Sequence, residues 1–136
     1  MARSISRDVV PKQKRHRVLV VNDARDLRWL LQRILGGEGL QVETRASGKA
    51  ALALLQRQRP DLVIQGITLP DMMGTRLLRR SLELYPTLPV IILSATVNGT
   101  IVEECRRLGC DAFIPIPFQL DELLRTVRTA LGGDGR

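Results

Sequence analysis

The sequence predicts an α/β fold in which five parallel strands alternate with five helices in a single domain. Short apolar or β-branched runs recur along the chain, each is followed by apolar residues at helical spacing, and the connections between them are short. A β-α order repeated five times predicts a parallel sheet covered by helices on both faces, with right-handed crossovers. At 136 residues and 44% hydrophobic content, the chain can bury a substantial core without disulfides or metal.

The first strand is the β-branched run Arg17 to Val21, which delivers Asn22-Asp23 to its carboxyl end. A helix begins near Asp26 and is stopped by Gly36-Gly37, because apolar residues recur at helical spacing between these points. Its predicted buried face is Leu27, Leu30, Leu31, Ile34 and Leu35.

The second strand, Leu40 to Thr44, alternates apolar and polar residues as an edge strand does. Ser47 is predicted to cap the second helix, since its hydroxyl oxygen can accept a hydrogen bond from a backbone N–H of the first turn. The predicted buried face of this helix is Ala50, Ala51, Leu54 and Leu55.

The third strand is the apolar run Leu62 to Ile64, which is typical of a central strand buried on both faces. It ends in Gln65-Gly66, and a turn through Pro70 and Gly74 leads into a helix that buries Leu77, Leu78 and Leu82 and ends before Pro86. In open parallel sheets, ligands bind beyond the carboxyl ends of the strands. Gly66 lies at such an end and offers no side chain for chemistry.

The fourth strand, Pro89 to Leu93, ends in Ser94-Ala95 and precedes a helix closed by Gly109. The fifth strand, Asp111 to Ile114, leads through Pro115-Ile116-Pro117 to the last helix. That helix carries Asp121 and Glu122 at the positive end of its dipole. The predicted apolar faces are Ile101, Val102, Cys105 and Leu108 in the fourth helix, and Leu120, Leu123, Leu124, Val127 and Leu131 in the fifth.

The net charge of +7 is concentrated near the N-terminus. Residues 1–17 contain six of the 21 Lys/Arg and one of the 14 Asp/Glu, which leaves 15 and 13, a net of +2, for the rest. We therefore expect residues 1–16 to be a basic disordered tail, with a weak salt-sensitive contact to an acidic partner or nucleic acid as a second hypothesis. The nearly balanced folded part, residues 17–131, is not expected to bind nucleic acid. Residues 132–136 are expected to be a flexible end.

Several kinds of site are excluded by composition. Cys105 and Cys110 lack metal or redox spacing and are expected to be buried, inert thiols, and the single His16 lies in the basic tail. We therefore expect neither a metal centre nor a catalytic triad. No apolar run approaches the ~20 residues of a membrane span, and the N-terminus lacks a signal-peptide core, so we expect a cytoplasmic protein without membrane contact.

Six motifs occur in an order and spacing that resemble a response-regulator receiver domain, the fold of the bacterial chemotaxis regulator. They are VLVVND with DLRWLLQRIL behind it, ASGKAALALL, RPDLVIQGITLPDMMG, LPVIILSA and GCDAFIPIPFQLDELL. The resemblance covers about residues 17–131. It implies a flavodoxin-like, doubly wound sheet with strand order 2-1-3-4-5, and a role in two-component signalling and not as an enzyme.

The resemblance also implies where phosphate chemistry belongs. Family receivers accept a phosphoryl group on an aspartate after the third strand and hold Mg²⁺ with an acidic pair after the first. A Ser/Thr after the fourth strand and a lysine after the fifth contact the phosphoryl group. Carried over in the order acceptor, acidic pair, hydroxyl and lysine, these positions are Gly66, Asn22 and Asp23, Ser94, and Ile116.

Three of these five positions, Asn22, Gly66 and Ile116, lack the family's chemistry. Mg²⁺ prefers carboxylate oxygens, and only Asp23 offers one, so we expect weak or absent Mg²⁺ binding and no cofactor. The space at Gly66 is expected to be filled by water or by neighbours such as Ile116. The resemblance thus implies a degenerate receiver that acts through a protein partner, independently of phosphorylation.

Two alternatives remain open. In the first, Asp71 is a surrogate phosphoacceptor, although an Asp after Pro70 is more simply a turn former. In the second, the chain is the N-terminal input domain of a longer regulator whose DNA-binding or catalytic output domain follows Gly132.

Two further positions follow from the resemblance. Phe113 occupies the place of the family's aromatic switch residue and is expected to stay in one rotamer, because the phosphorylation that would bias it is absent. The Ile116-Pro117 bond matches the family's Lys-Pro bond and is expected to be cis.

Two surfaces are candidate interfaces. Trp29 lies off the apolar stripe of the first helix, beside Arg25 and Arg28, and Trp and Arg are enriched at interface hot spots. The second surface spans the fourth helix, fifth strand and fifth helix, through which receivers commonly form homodimers. Its charged residues are Glu103, Glu104, Arg106, Arg107, Arg125 and Arg128.

Overall fold

The computed structural model describes residues 15–132, so the predicted tail and C-terminal end lie outside it except for Arg15, His16 and Gly132. Strands and helices alternate along the described chain. The strands are β1 (Arg17–Val21), β2 (Gln41–Arg45), β3 (Leu62–Gln65), β4 (Val90–Ser94) and β5 (Ala112–Pro115). The helices are α1 (Arg25–Gly37), α2 (Gly48–Arg57), α3 (Gly74–Leu84), α4 (Gly99–Leu108) and α5 (Leu120–Ala130).

The strands form one parallel sheet in the order β2-β1-β3-β4-β5, as the resemblance implied. Central β3 is buried along its whole length, and β2 lies at an edge with every side chain half-buried. Val21 of β1 lies opposite Gln65 of β3, and Ser94 of β4 lies opposite Pro115 of β5. This register brings the carboxyl ends of β1, β3, β4 and β5 to the same edge of the sheet.

Each face of the sheet carries its own apolar core. Successive side chains of a strand point to opposite faces, so Ile64 packs with residues of α1 and α5, whereas Val63 packs with residues of α2, α3 and α4. Fully burying a Leu, Ile or Val side chain contributes about 1.5–3 kcal/mol. The two apolar layers therefore account for a fold without disulfides, since both described cysteines are free.

Local signals set the helix ends. The Ser47 hydroxyl accepts from Ala50 N at 3.2 Å, which confirms the predicted cap of α2. Asn98 caps α4 in the same way, with Oδ1 accepting from Ile101 N at 2.9 Å, a cap that the sequence reading missed. Gly109 ends α4 at φ +111°, a left-handed conformation that favours glycine.

Two leucines predicted to be buried are exposed: Leu30 by 41% and Leu120 by 50%. On a helix that turns about 100° per residue, Leu30 lies roughly 120° from the midpoint of the buried Leu31 and Leu35, so the predicted stripe was too wide. Leu120 begins α5 at the carboxyl edge, beyond the end of β5. It therefore has no strand beneath it to pack against.

Smaller differences concern boundaries. Strands β2, β4 and β5 each begin and end one residue later than predicted, which is within the usual uncertainty of element ends. Ala50 is half-buried and lies at the margin of the α2 core face. Within residues 15–132, no helix has both the length and the apolar character needed to cross a membrane.

Candidate functional site

The carboxyl edge of the sheet gathers the positions singled out from the sequence. Asn22 and Asp23 follow β1, Gly66 follows β3, Ser94 ends β4, and Ile116 follows β5. Because β1 and β4 are the two neighbours of β3, Asn22 and Ser94 flank the position after β3. Ile116 lies one strand further away.

The space beside Gly66 is bordered by Asn22. A Cβ at position 66 would lie 3.1 Å from Asn22 Nδ2 and 3.7 Å from Leu93 O, and no other described atom outside the adjacent residues comes within 4 Å. We expected water or neighbours such as Ile116 in this space, and the side chain within 4 Å of the Cβ position is that of Asn22 and not of Ile116. Strand order explains the difference, since β1 pairs with β3 whereas β5 is separated from β3 by β4.

Asn22 presents a hydrogen-bond donor to the site. Its Oδ1 accepts from Ala24 N at 2.8 Å, which commits the oxygen to its own loop and turns Nδ2 toward position 66. Its backbone carbonyl accepts from Arg28 Nη1 at 2.8 Å. An amide N–H can donate to an anion but cannot coordinate a cation.

The residues at this edge are a poor set of ligands for Mg²⁺. Asp23 is exposed and supplies the only carboxylate among the five positions, while the side-chain oxygen of Asn22 is already hydrogen-bonded. Across residues 15–132, no three His, Cys, Asp or Glu side chains are grouped so that they could hold a metal ion. Mg²⁺ is usually held by one or two carboxylates while waters complete its octahedral coordination, and these five positions provide a single carboxylate, so weak or absent binding stays a prediction.

Ser94 is a buried hydroxyl that its own loop satisfies. Its Oγ accepts from Thr96 N at 2.9 Å and donates to Thr96 O at 3.3 Å. This geometry fits the local role that a small residue after a buried strand usually has.

Two residues that were not predicted to be functional hold the backbone of the loop after Gly66 together. Gln65 is 1% exposed, and its Nε2 donates to Gly74 O at 2.8 Å and to Gly66 O at 3.2 Å. Gly74 N donates to Ile67 O at 2.5 Å, and a Cβ on Gly74 would overlap Gly66 O. The sequence indicates these hydrogen bonds only through a glutamine at the end of an otherwise apolar strand.

Asp71 holds the start of α2. Its two carboxylate oxygens accept from Gly48 N and Lys49 N, both at 2.8 Å, which satisfies two N–H groups that the helix itself leaves free. The hydrogen bond from Lys49 N, followed by that from Gly48 N, lowers the pKa of the exposed Asp71 carboxyl. Asp71 therefore does more than form a turn, since it ties the β3–α3 loop to a second helix.

Replacing Asp71 with alanine is expected to lower the melting temperature at pH 7. The folded-state pKa lies below the ordinary 3.8, so this stabilisation is fully present above pH 3.8 and is lost as the pH falls through 3.8 and then through the folded-state pKa. Thermal melts of wild type and Asp71→Ala from pH 7 to pH 2.5 test this, and the difference should narrow only below about pH 4. A constant difference over that range would contradict the assignment.

The remaining positions near the fifth strand lie as follows. Phe113 is half-buried and packs on the apolar layer that contains Cys105. The Ile116-Pro117 bond is cis, as predicted.

Burial raises the pKa of Cys105 to about 11 and also raises that of the half-buried Cys110, so the two thiols are unreactive near neutral pH.

Trp29, the centre of the first candidate interface, is exposed as predicted. Trp29 is 60% exposed on the outer side of α1, and the guanidinium of Arg33 lies 5.2 Å from the centre of its ring, a cation–π contact. Arg25 is exposed on the same helix, whereas Arg28 is half-buried against the Asn22 carbonyl.

Two arginines of the second candidate surface form ion pairs. Arg106 pairs with Glu103 within α4 at 2.8 Å, and Arg128 lies 3.6 Å from Glu38 at the end of α1. Arg107 and Arg125 are exposed. The surface thus presents charges of both signs, and the homodimer through it stays a prediction.

Comparison with known sequences identifies the fold family. The family model for the response regulator receiver domain matches residues 18–128. The chain is 35% identical over 114 residues to the DNA-binding transcriptional regulator NtrC of Salmonella typhimurium, and this match covers 84% of the chain but 24% of that protein. It is 31% identical over 115 residues to the sporulation initiation phosphotransferase F of Bacillus subtilis, covering 85% of the chain and 93% of that protein.

Solved structures of receiver proteins are similar to this chain as well. A CheY-like receiver domain protein from Methanospirillum hungatei superposes with a TM-score of 0.85 at 28% identity, covering 88% of this chain and 95% of that one. The chemotaxis protein CheY4 of Vibrio cholerae gives 0.80 at 28% identity, covering 86% and 99%. This chain spans about a quarter of the length of the NtrC regulators that it matches. Receiver domains are signalling modules, and by sequence and fold the chain belongs to the response regulator receiver domain family.

Proposed function

We propose that this chain is a receiver module that signals without being phosphorylated, through contact with a protein partner. The observation that carries the proposal is the edge of the sheet beside β3, where Gly66 has no side chain and the Asn22 amide N–H borders the space. Phosphoryl transfer to a protein requires a nucleophile, after which catalysis is mostly positioning and charge neutralisation. In the alignment that the resemblance implies, position 66 corresponds to the residue that supplies this nucleophile in the family.

The electrostatics of the site support the same proposal. In the family, three carboxylates and a lysine give the site a formal charge of −2. In this chain only Asp23 is charged among these positions, so the formal charge of the site is −1. The repulsion among carboxylates that Mg²⁺ relieves in a charged pocket is thereby removed. The fold then needs no metal for stability.

The closed β3–α3 loop supports a single conformation. Gln65 and Gly74 hold the loop backbone together, and Asp71 ties it to α2. A modification shifts a two-state element only by its difference in free energy between the two states. Without phosphorylation, the input to this module is the binding of the partner itself.

Incubation with Mg²⁺ and a small acyl phosphate donor tests this function. The expected result is no phosphoryl adduct on any residue by intact-mass and peptide mass spectrometry, with a receiver that carries the acceptor aspartate treated in parallel as the positive control. An Mg²⁺-dependent adduct on Asp71 would overturn the proposal in favour of a surrogate acceptor. The engagement of both Asp71 oxygens by α2 argues against that outcome.

A second candidate function is the input domain of a longer regulator. The observation that favours it is the match to NtrC, a DNA-binding transcriptional regulator, over 24% of that protein's length. The native protein's mass distinguishes the two candidates. A band near 15.2 kDa on an immunoblot of source cells fits a stand-alone module, whereas a much larger band fits an input domain.

A further inference from the structure

An apolar groove opens at the amino edge of the sheet, at the end opposite the candidate site. It lies where α1 ends, β2 begins and α5 ends, and its volume is about 250 Å³. The groove is lined by His16, Glu38, Leu40, Leu124, Val127, Arg128 and Leu131.

The chemistry of the groove selects an apolar occupant. Its walls are aliphatic, and its rim charges, Glu38 and Arg128, lie 3.6 Å apart and offset each other. A phosphate or nucleotide would find no net positive charge there. Aliphatic side chains carried on a peptide match such walls, because removing apolar surface from water is the favourable term.

We propose that the groove binds the N-terminal segment of this same chain, with Val9 and Val10 packed against its aliphatic walls. The chain passes the groove directly, since His16 lines it and is followed at once by β1. Fourteen residues precede the described part of the chain. Val10 is six residues from His16, so it can reach up to roughly 20 Å from a residue that itself borders the groove.

The N-terminal segment contains aliphatic residues that could fill the groove, whereas residues 133–136 do not. Residues 1–14 contain the aliphatic residues Ile5, Val9 and Val10, whereas residues 133–136, Gly-Asp-Gly-Arg, contain none. A segment joined to the wall of its own site is present at an effective concentration on the order of millimolar. Intramolecular binding therefore requires an intrinsic affinity only in the millimolar range.

This contact gives the basic N-terminal segment a second role. The same segment also carries the charged residues Arg7, Lys12 and Lys14, which have no counterpart in the aliphatic walls. A protein partner that uses the same groove would have to displace the segment first. The inference does not depend on whether the chain is phosphorylated.

Hydrogen–deuterium exchange of the full-length chain tests the proposal with two matched double variants. Val9→Asp/Val10→Asp replaces the aliphatic pair, whereas Ser4→Asp/Ser6→Asp introduces the same charge in the same segment and keeps both valines. We expect amides in residues 128–132 and 38–41 to exchange several-fold faster in the valine variant than in wild type. The serine variant should exchange as wild type does.

Three results would overturn the proposal. Equal exchange in all three proteins means that the segment does not occupy the groove, and equal acceleration in both variants means that charge and not apolar contact is responsible. Protection that grows with protein concentration would assign the groove to a second copy of the chain. Unfolding curves of the three proteins exclude a general loss of stability, which would accelerate exchange along the whole chain.

Discussion

Replacing Gly66 with aspartate alone is expected to leave the protein without efficient phosphorylation. The new Cβ would lie 3.1 Å from Asn22 Nδ2, so the restored carboxylate would meet an amide N–H where a receiver needs an oxygen ligand for Mg²⁺. Ile116 offers no positive charge to the phosphoryl group. Losing one group that stabilises a developing charge typically lowers a rate by about 10²–10³-fold.

The matched variant restores the other two positions as well. Asn22→Asp/Gly66→Asp/Ile116→Lys is expected to incorporate phosphoryl groups at least about 100-fold faster than Gly66→Asp, because it supplies the second carboxylate and the cation. Incorporation from an acyl phosphate donor, with and without Mg²⁺, measures both rates. If Gly66→Asp alone reached the rate of the triple variant, Asn22 and Ile116 would have no part in the loss of the site's chemistry.

Replacing Gly74 with alanine is expected to destabilise the fold by about 3 kcal/mol or more. Its Cβ would overlap the Gly66 carbonyl oxygen and lie 2.7 Å from Ile67 Cα, and both are backbone atoms that cannot rotate away. Relief of this contact would also stretch the 2.5 Å hydrogen bond from Gly74 N to Ile67 O. Domains of this size are stable by about 5–15 kcal/mol, so the loss is a large fraction of the total.

Gly37→Ala is the matched control. Gly37 also lies in a helix, α1, but a Cβ there would have no neighbour within 4 Å, so we expect a change of less than about 1 kcal/mol. Urea unfolding of wild type and both variants gives the two differences directly. Equal stability of Gly74→Ala and Gly37→Ala would show that the β3–α3 loop can shift at little cost.

The features recovered from the sequence are those that local pattern encodes. The periods of the apolar residues gave the alternating elements, and Ser47 and Gly109 marked helix ends because capping depends on neighbouring residues. The resemblance then supplied the strand order, and this order places Asn22, Gly66 and Ser94 at one edge.

The missed features depend on contacts between distant parts of the chain. Asp71 binds an α2 terminus more than 20 residues earlier, and no local pattern distinguishes that role from turn formation. The space beside Gly66 was expected to hold water or neighbours such as Ile116, whereas Asn22 is the side chain that borders it, because β1 and not β5 is next to β3. Leu120 fitted the helical stripe, but a stripe does not tell how far the sheet extends beneath it.

The hydrogen bond from Arg28 to the Asn22 carbonyl joins the edge of the sheet to the helix that exposes Trp29. A partner that binds this face of α1 and displaces Arg28 would break this hydrogen bond and leave the Asn22 carbonyl without its guanidinium donor. Because linkage between binding free energies is reciprocal, a change at Asn22 that alters this hydrogen bond is expected to alter the affinity of such a partner. Trp29 and the loop after β1 are thus connected through one hydrogen bond that involves no phosphate.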